Sequence, residues 1–98
     1  MSRSSIERKL SEGASRLHAL RADLLVTDEQ LRQFNDEADD ARLRAIVGDN
    51  PQATKEHRET ARHAEAMSRH RRDVVAEIAR LESNQDNLLD KLIAAGSS

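Results

Sequence analysis

The residues best suited to chemistry are four histidines and the acids near them, because imidazole and carboxylate groups bind metals and move protons. Glu56, Glu59 and His63 are spaced so that they share one face of a helix. Zinc sites usually need a tight pair such as two histidines four apart, and di-metal carboxylate bundles use Glu-x-x-His. Neither spacing occurs in the sequence. We therefore expect a solvated helix face, with no metal site and no cofactor.

The sequence contains few other residues in arrangements suited to catalysis. The chain contains no cysteine, its serines cluster towards the termini, and no glycine-rich phosphate loop is present. Adjacent acids such as Asp39 and Asp40 point about 100° apart on a helix, so they do not form a working pair. The sequence predicts a non-enzymatic protein with no catalytic residue.

A basic cluster, formed by Arg69, Arg71 and Arg72, could contact phosphates. Acids such as Glu65 and Asp73 interrupt it, and there are no aromatic residues nearby to stack on bases. The whole chain carries 16 basic and 18 acidic residues, for a net charge of −2. Nucleic acid is therefore not the expected partner.

Glycine and proline positions set the predicted elements, because both residues interrupt helices. Between the termini, the only strong break is the Gly48-Asp49-Asn50-Pro51 run, in which Gly48 can cap one helix in the left-handed conformation and Pro51 can open the next. We predict a single all-α domain over residues 1–98. It has helix 1 at about 5–47, a turn at 48–51, helix 2 at about 51–95 and a disordered tail at 96–98.

Both helical segments carry an unbroken heptad pattern, which is typical of coiled-coil packing. In the first, the 4,3 spacing selects Ile6, Leu10, Gly13, Leu17, Leu20, Leu24, Thr27, Leu31, Phe34, Ala38, Ala41 and Ala45. In the second, it selects Ala53, His57, Thr60, Ala64, Met67, Arg71, Val74, Ile78, Leu81, Gln85, Leu88 and Leu92. Folding at the turn places residues opposite each other when their numbers sum to 98. The sequence thus predicts a long antiparallel two-helix coiled-coil hairpin.

Three layers of this heptad seam contain residues that are not large and apolar. We interpret them as polar layers that fix the register, or alternatively as points where the helix pair bends or receives a partner. The facing pairs are Gly13 with Gln85, Thr27 with Arg71, and Ala41 with His57. Glycine inside a helix costs roughly 1 kcal/mol relative to alanine. On sequence alone, Gly13→Ala should therefore raise the melting temperature.

A three-helix variant is the alternative architecture. Asn35 or Asp36 could cap a new helix whose first turn is acidic, which would break the first arm near residues 35–40. That break would bury Leu43, Ile46 and Val47, which the straight hairpin leaves outside.

Apolar residues off the seam are the best functional clue, because clusters of them on a thin helix pair mark contact surfaces. The candidate partner-binding residues are Leu25, Val26, Leu43, Ile46, Val47, Val75, Leu89 and Ile93. Two-helix coiled coils bury a single stripe, so we expect a homodimer that forms a helical bundle.

The leading functional hypothesis is a coiled-coil interaction or structural module that self-associates and binds a protein partner. The alternative is a transcription- or nucleic-acid-associated hairpin. With acids towards its turn, over residues 36–49, the chain resembles in architecture the coiled-coil domain of bacterial transcript-cleavage factors, which insert into RNA polymerase. Most of these acids lie two to three turns below the tip.

The expected location is the cytoplasm of a bacterium. No secretory leader or membrane-spanning run is evident in the sequence, and the absence of cysteine suits a reducing compartment. The abundance of Ala, Arg and Asp and the scarcity of Lys favour a high-GC genome.

Overall fold

The computed structural model describes residues 2–48 and 50–96 and consists of two long helices. Helix α1 spans Arg3–Gly48 and helix α2 spans Pro51–Gly96. The predicted antiparallel helical hairpin is confirmed. Gly96, which we expected in the tail, belongs to α2. The rest of the predicted tail lies outside the described residues.

Helix α1 continues through residues 35–40, so the three-helix alternative is wrong. Asn35 and Asp36 point to solvent, where they cost only a few tenths of a kcal/mol each in helix propensity. Ala38 and Ala41 are buried and continue the heptad pattern. Unbroken packing therefore outweighs the local capping signal, and Leu43, Ile46 and Val47 stay exposed.

Asn50 begins α2 as its N-cap. Its side-chain oxygen Oδ1 accepts hydrogen bonds from the backbone N–H groups of Gln52 at 3.0 Å and Ala53 at 3.4 Å. Pro51 occupies the first helical position, as predicted. Gly48 instead remains within α1 with no left-handed backbone, so the predicted left-handed cap is wrong. Asp49 lies outside the described residues.

Replacing Asn50 with alanine is expected to lower the free energy of unfolding by about 1 kcal/mol, because two backbone donors lose their acceptor. Urea denaturation followed by circular dichroism measures the change. Asn50→Asp is the matched control, since aspartate caps equally well. Equal losses in both variants would show that the side-chain oxygen does not act as a cap.

The core lies along the predicted seam. Every buried side chain of the residues described belongs to it: Ile6, Leu17, Leu20, Thr27, Ala38, Ala41, Ala53, Ala64 and Val74. The remaining seam positions are half-buried, except Arg71, which is exposed. The heptad assignment therefore identifies the buried face of both helices.

The chain divides into two compact units, and their cores differ in side-chain size. The terminal unit combines residues 2–24 and 74–96, and its buried side chains are Ile6, Leu17, Leu20 and Val74. The turn unit is Leu25–Asp73, in which the buried apolar residues are all alanines: Ala38, Ala41, Ala53 and Ala64. Small side chains let the two backbones of the turn unit approach closely. His57 Nδ1 lies 3.0 Å from the Ala38 carbonyl oxygen and donates to it across the helices.

Candidate functional site

The predicted partner-binding residues are all exposed in the structure. Their exposed fractions run from 40% at Val75 to 85% at Val47. Large apolar side chains left this open lose the stabilisation that burial would provide, roughly 1.5–3 kcal/mol each. Whether they bind a partner stays a prediction.

Five of these residues lie on one surface, which we call the α1 outer face. It is the side of α1 in the turn unit that points away from the seam. Heptad spacing places Leu25, Arg32, Asp39 and Ile46 in one column. The face comprises Leu25, Val26, Glu29, Arg32, Gln33, Asp36, Asp39, Asp40, Leu43, Ile46 and Val47, all of them exposed. It therefore has an apolar cluster at each end and charged residues between them.

Near the turn, this face ends in a shallow depression of about 400 Å³. Leu43 and Val47 form its apolar wall, while Arg44, Gly48 and Asn50 complete the lining. It is open to solvent, and the described residues that line it include no carboxylate or histidine. The depression is suited to an apolar side chain of a partner.

A second groove, of about 300 Å³, lies between the helices of the turn unit and is lined mainly by charged side chains. Arg44 bridges it, with its Nη2 atom 2.9 Å from a Glu56 carboxylate oxygen and its Nε atom 3.3 Å from Asp40. Glu56 belongs to α2, so this ion pair links the two helices. Exposed ion pairs of this kind contribute to the register of the helices more than to their stability.

Two of the four histidines, His57 and His63, have structural contacts. The His63 ring stacks on Phe34 with centroids 5.4 Å apart and an interplanar angle of 19°. His57 is half-buried and bonded to the Ala38 carbonyl. Across residues 2–48 and 50–96, no group of three or more His, Cys, Asp or Glu side chains could hold a metal ion.

The basic cluster is partly neutralised within the turn unit. Arg69 pairs with Glu65 at 3.1 Å, and Arg71 pairs with Asp28 across the helices at 2.6 Å. Arg72 is exposed. Phosphate contact by these three arginines stays a prediction. Arg69 and Arg71 would have to release their carboxylate partners in order to bind a phosphate.

The polar layer of Gly13 and Gln85, in the terminal unit, has a specific geometry that the sequence did not predict. Gln85 Nε2 donates a hydrogen bond to the Leu10 carbonyl oxygen at 3.0 Å. A Cβ atom on Gly13 would lie only 2.6 Å from Gln85 Oε1. Glycine therefore provides the space in which the Gln85 amide reaches the facing helix.

This contact changes the expectation for Gly13→Ala. The gain of roughly 1 kcal/mol in helix propensity is offset by loss of the Gln85 hydrogen bond, which contributes about 0.5–1.5 kcal/mol. We expect almost no net change in the wild-type background and a gain of about 1 kcal/mol in a Gln85→Ala background. Thermal melts of the four chains of this double-mutant cycle give the coupling. The same gain in both backgrounds would contradict the proposed contact.

Comparisons with protein families, with curated proteins and with solved structures find no match to this chain. Neither helix contains, among the residues described, a stretch long and apolar enough to cross a membrane.

Proposed function

We propose that this protein is a non-enzymatic helical-hairpin module that self-associates and binds a protein partner through the α1 outer face. The observation that carries the proposal is the set of five exposed Leu, Ile and Val side chains on one side of one helix. Scattered apolar residues are normal on protein surfaces, but clusters at both ends of a single face are typical of contact sites.

The seam does not need these side chains, which also supports the proposal. Val47 is 85% exposed and Leu25 is 74% exposed, so neither adds appreciably to the packing of the hairpin. Their removal should leave the fold intact and affect association alone. That separation between stability and binding is what distinguishes a contact surface from a core.

Sedimentation equilibrium up to about 200 μM, a range that detects weak association, is the direct test. The wild-type chain is expected to form dimers, and a Leu43→Ser/Ile46→Ser variant is expected to remain monomeric. Leu89→Ser is the control, because Leu89 is exposed but lies on α2 in the terminal unit. A wild-type chain that stays monomeric throughout this range would contradict self-association.

Circular dichroism at low micromolar concentration checks that the double variant still folds. We expect a helical signal and a melting temperature close to those of the wild type, because Leu43 is 61% and Ile46 is 66% exposed. A large loss of helix would instead mean that these side chains support the fold.

A further inference from the structure

The order of apolar and charged residues along the α1 outer face indicates what kind of molecule packs on it. We propose that a second copy of this chain packs antiparallel along this face, with the two-fold axis passing beside Asp36. This inference rests on the proposed self-association and adds its surface, direction and register.

Four of the five apolar residues form two pairs whose members are equally far from Asp36 along the helix, as a two-fold axis requires. Leu25 and Val47 each lie eleven residues from it, and Val26 and Ile46 each lie ten residues from it. In the antiparallel pair, Leu25 packs against Val47 of the second copy, and Val26 packs against Ile46 of the second copy. Leu43 has no apolar counterpart and lies opposite Glu29 of the second copy. A slip of one heptad in one direction would set Leu25 and Val26 against Asp40 and Asp39, and a slip in the other direction would set Val47 against Arg32.

Charge decides between antiparallel and parallel packing. In a parallel pair, every charged residue of the face meets its own copy, including Glu29, Arg32, Asp39 and Asp40, and like charges repel. In the antiparallel pair, Arg32 faces Asp40 of the second copy, and Asp39 faces the neutral Gln33 of the second copy. Within one copy Arg32 pairs with Glu29 at 2.8 Å and Asp40 pairs with Arg44 at 3.3 Å. Arg32 and Asp40 are 67% and 71% exposed, so their pair with each other would form in exchange for, or in addition to, these surface contacts.

The exposed apolar area of the α1 outer face determines the affinity that we expect for the dimer. The five apolar side chains expose on the order of 600 Å² per copy, below the ~800 Å² per partner of a standard stable interface. The face also carries a net negative charge. Both features favour a weak dimer, with a dissociation constant on the order of 10–100 μM.

Asp36 is the one charged residue that meets its own copy at the axis. Two carboxylates a few ångströms apart in water repel by about the energy that corresponds to a fivefold change in affinity. Asp36→Asn should therefore tighten the dimer about fivefold in sedimentation equilibrium. Asp39→Asn, off the axis and opposite Gln33, should change it by less than about twofold.

Cysteine cross-linking tests the register directly, because the chain has no cysteine of its own. In Asp36→Cys, the two cysteines of a dimer lie beside the axis. Their Cα atoms are then within the separation of about 4.4–6.8 Å that a disulfide requires. Glu29→Cys is the matched control. Glu29 is an exposed acid in the same heptad column, seven residues from Asp36, so its two copies lie about 21 Å apart along the helices.

Both variants are incubated at about 100 μM, near the expected dissociation constant, with oxidised glutathione. Glutathione disulfide accepts the two electrons, and the two protein thiols become one intermolecular disulfide. We expect Asp36→Cys to cross-link at least tenfold faster than Glu29→Cys, as measured by non-reducing electrophoresis.

Three results are informative. Faster cross-linking at position 36, in a chain that sediments as a dimer, supports the proposal. A dimer in which the two variants cross-link at equal rates overturns this register but leaves self-association standing. A wild-type chain that is monomeric at about 200 μM overturns both the register and the proposed self-association.

Discussion

Leu20→Ala is expected to lower the free energy of unfolding by about 2–4 kcal/mol, because the substitution removes most of a buried side chain from the seam. Leu20 is only 4% exposed. The hairpin buries one stripe and has few large side chains in it, so neighbouring residues have little means of refilling the space. Urea denaturation of the dilute protein measures the loss.

Leu25→Ala provides the control within the same helix. Leu25 is 74% exposed, and the same chemical change there should cost less than about 0.5 kcal/mol. The measurement belongs at low micromolar concentration, where the proposed dimer is dissociated. Similar losses at the two positions would mean that the seam does not face the core as described.

Ala41→Leu is expected to destabilise the protein by about 1–3 kcal/mol, although leucine normally strengthens a coiled-coil seam. Ala41 is 1% exposed, and the helices are close enough here for His57, which faces Ala41, to bond the Ala38 carbonyl at 3.0 Å. A leucine in this layer would push the helices apart and break that bond. Thermal melting and the denaturation midpoint both report the change.

Ala22→Leu is the comparison, because Ala22 is exposed on α1. Both residues are good helix formers, so the change there should stay within about 0.5 kcal/mol. Stabilisation by Ala41→Leu would show that the alanine layers leave room for larger side chains.

The hairpin could be predicted from the sequence because two signals with different physical origins agree. Gly48 and Pro51 indicate one break, and the heptad seam gives the same buried face on both sides of it. The buried residues then follow from spacing alone, down to small ones such as Ala53. The exposure of the predicted partner-binding residues follows in the same way, since Leu43 and Val47 are apolar but lie off the seam.

Other details depend on distances that a pattern does not contain. The heptad places Gln85 opposite Gly13, but not its hydrogen bond to the Leu10 carbonyl. Local signals also mislead where packing outweighs them. Asn35 carries a capping signal within a continuous helix, whereas Asn50, which is followed by a proline, does cap α2.

The Gly13–Gln85 contact also has a consequence for alternative alignments of the two helices. A heptad pattern by itself permits a slip of seven residues, because one seam position resembles the next. Such a slip would bring Gln85 against Ile6 or Leu20, whose side chains leave no room for its amide to reach the opposite backbone. The amide would then be buried without a partner, at a cost of about 1–3 kcal/mol. Gly13, which has no side chain, thus selects a single alignment from several that the apolar residues alone would tolerate.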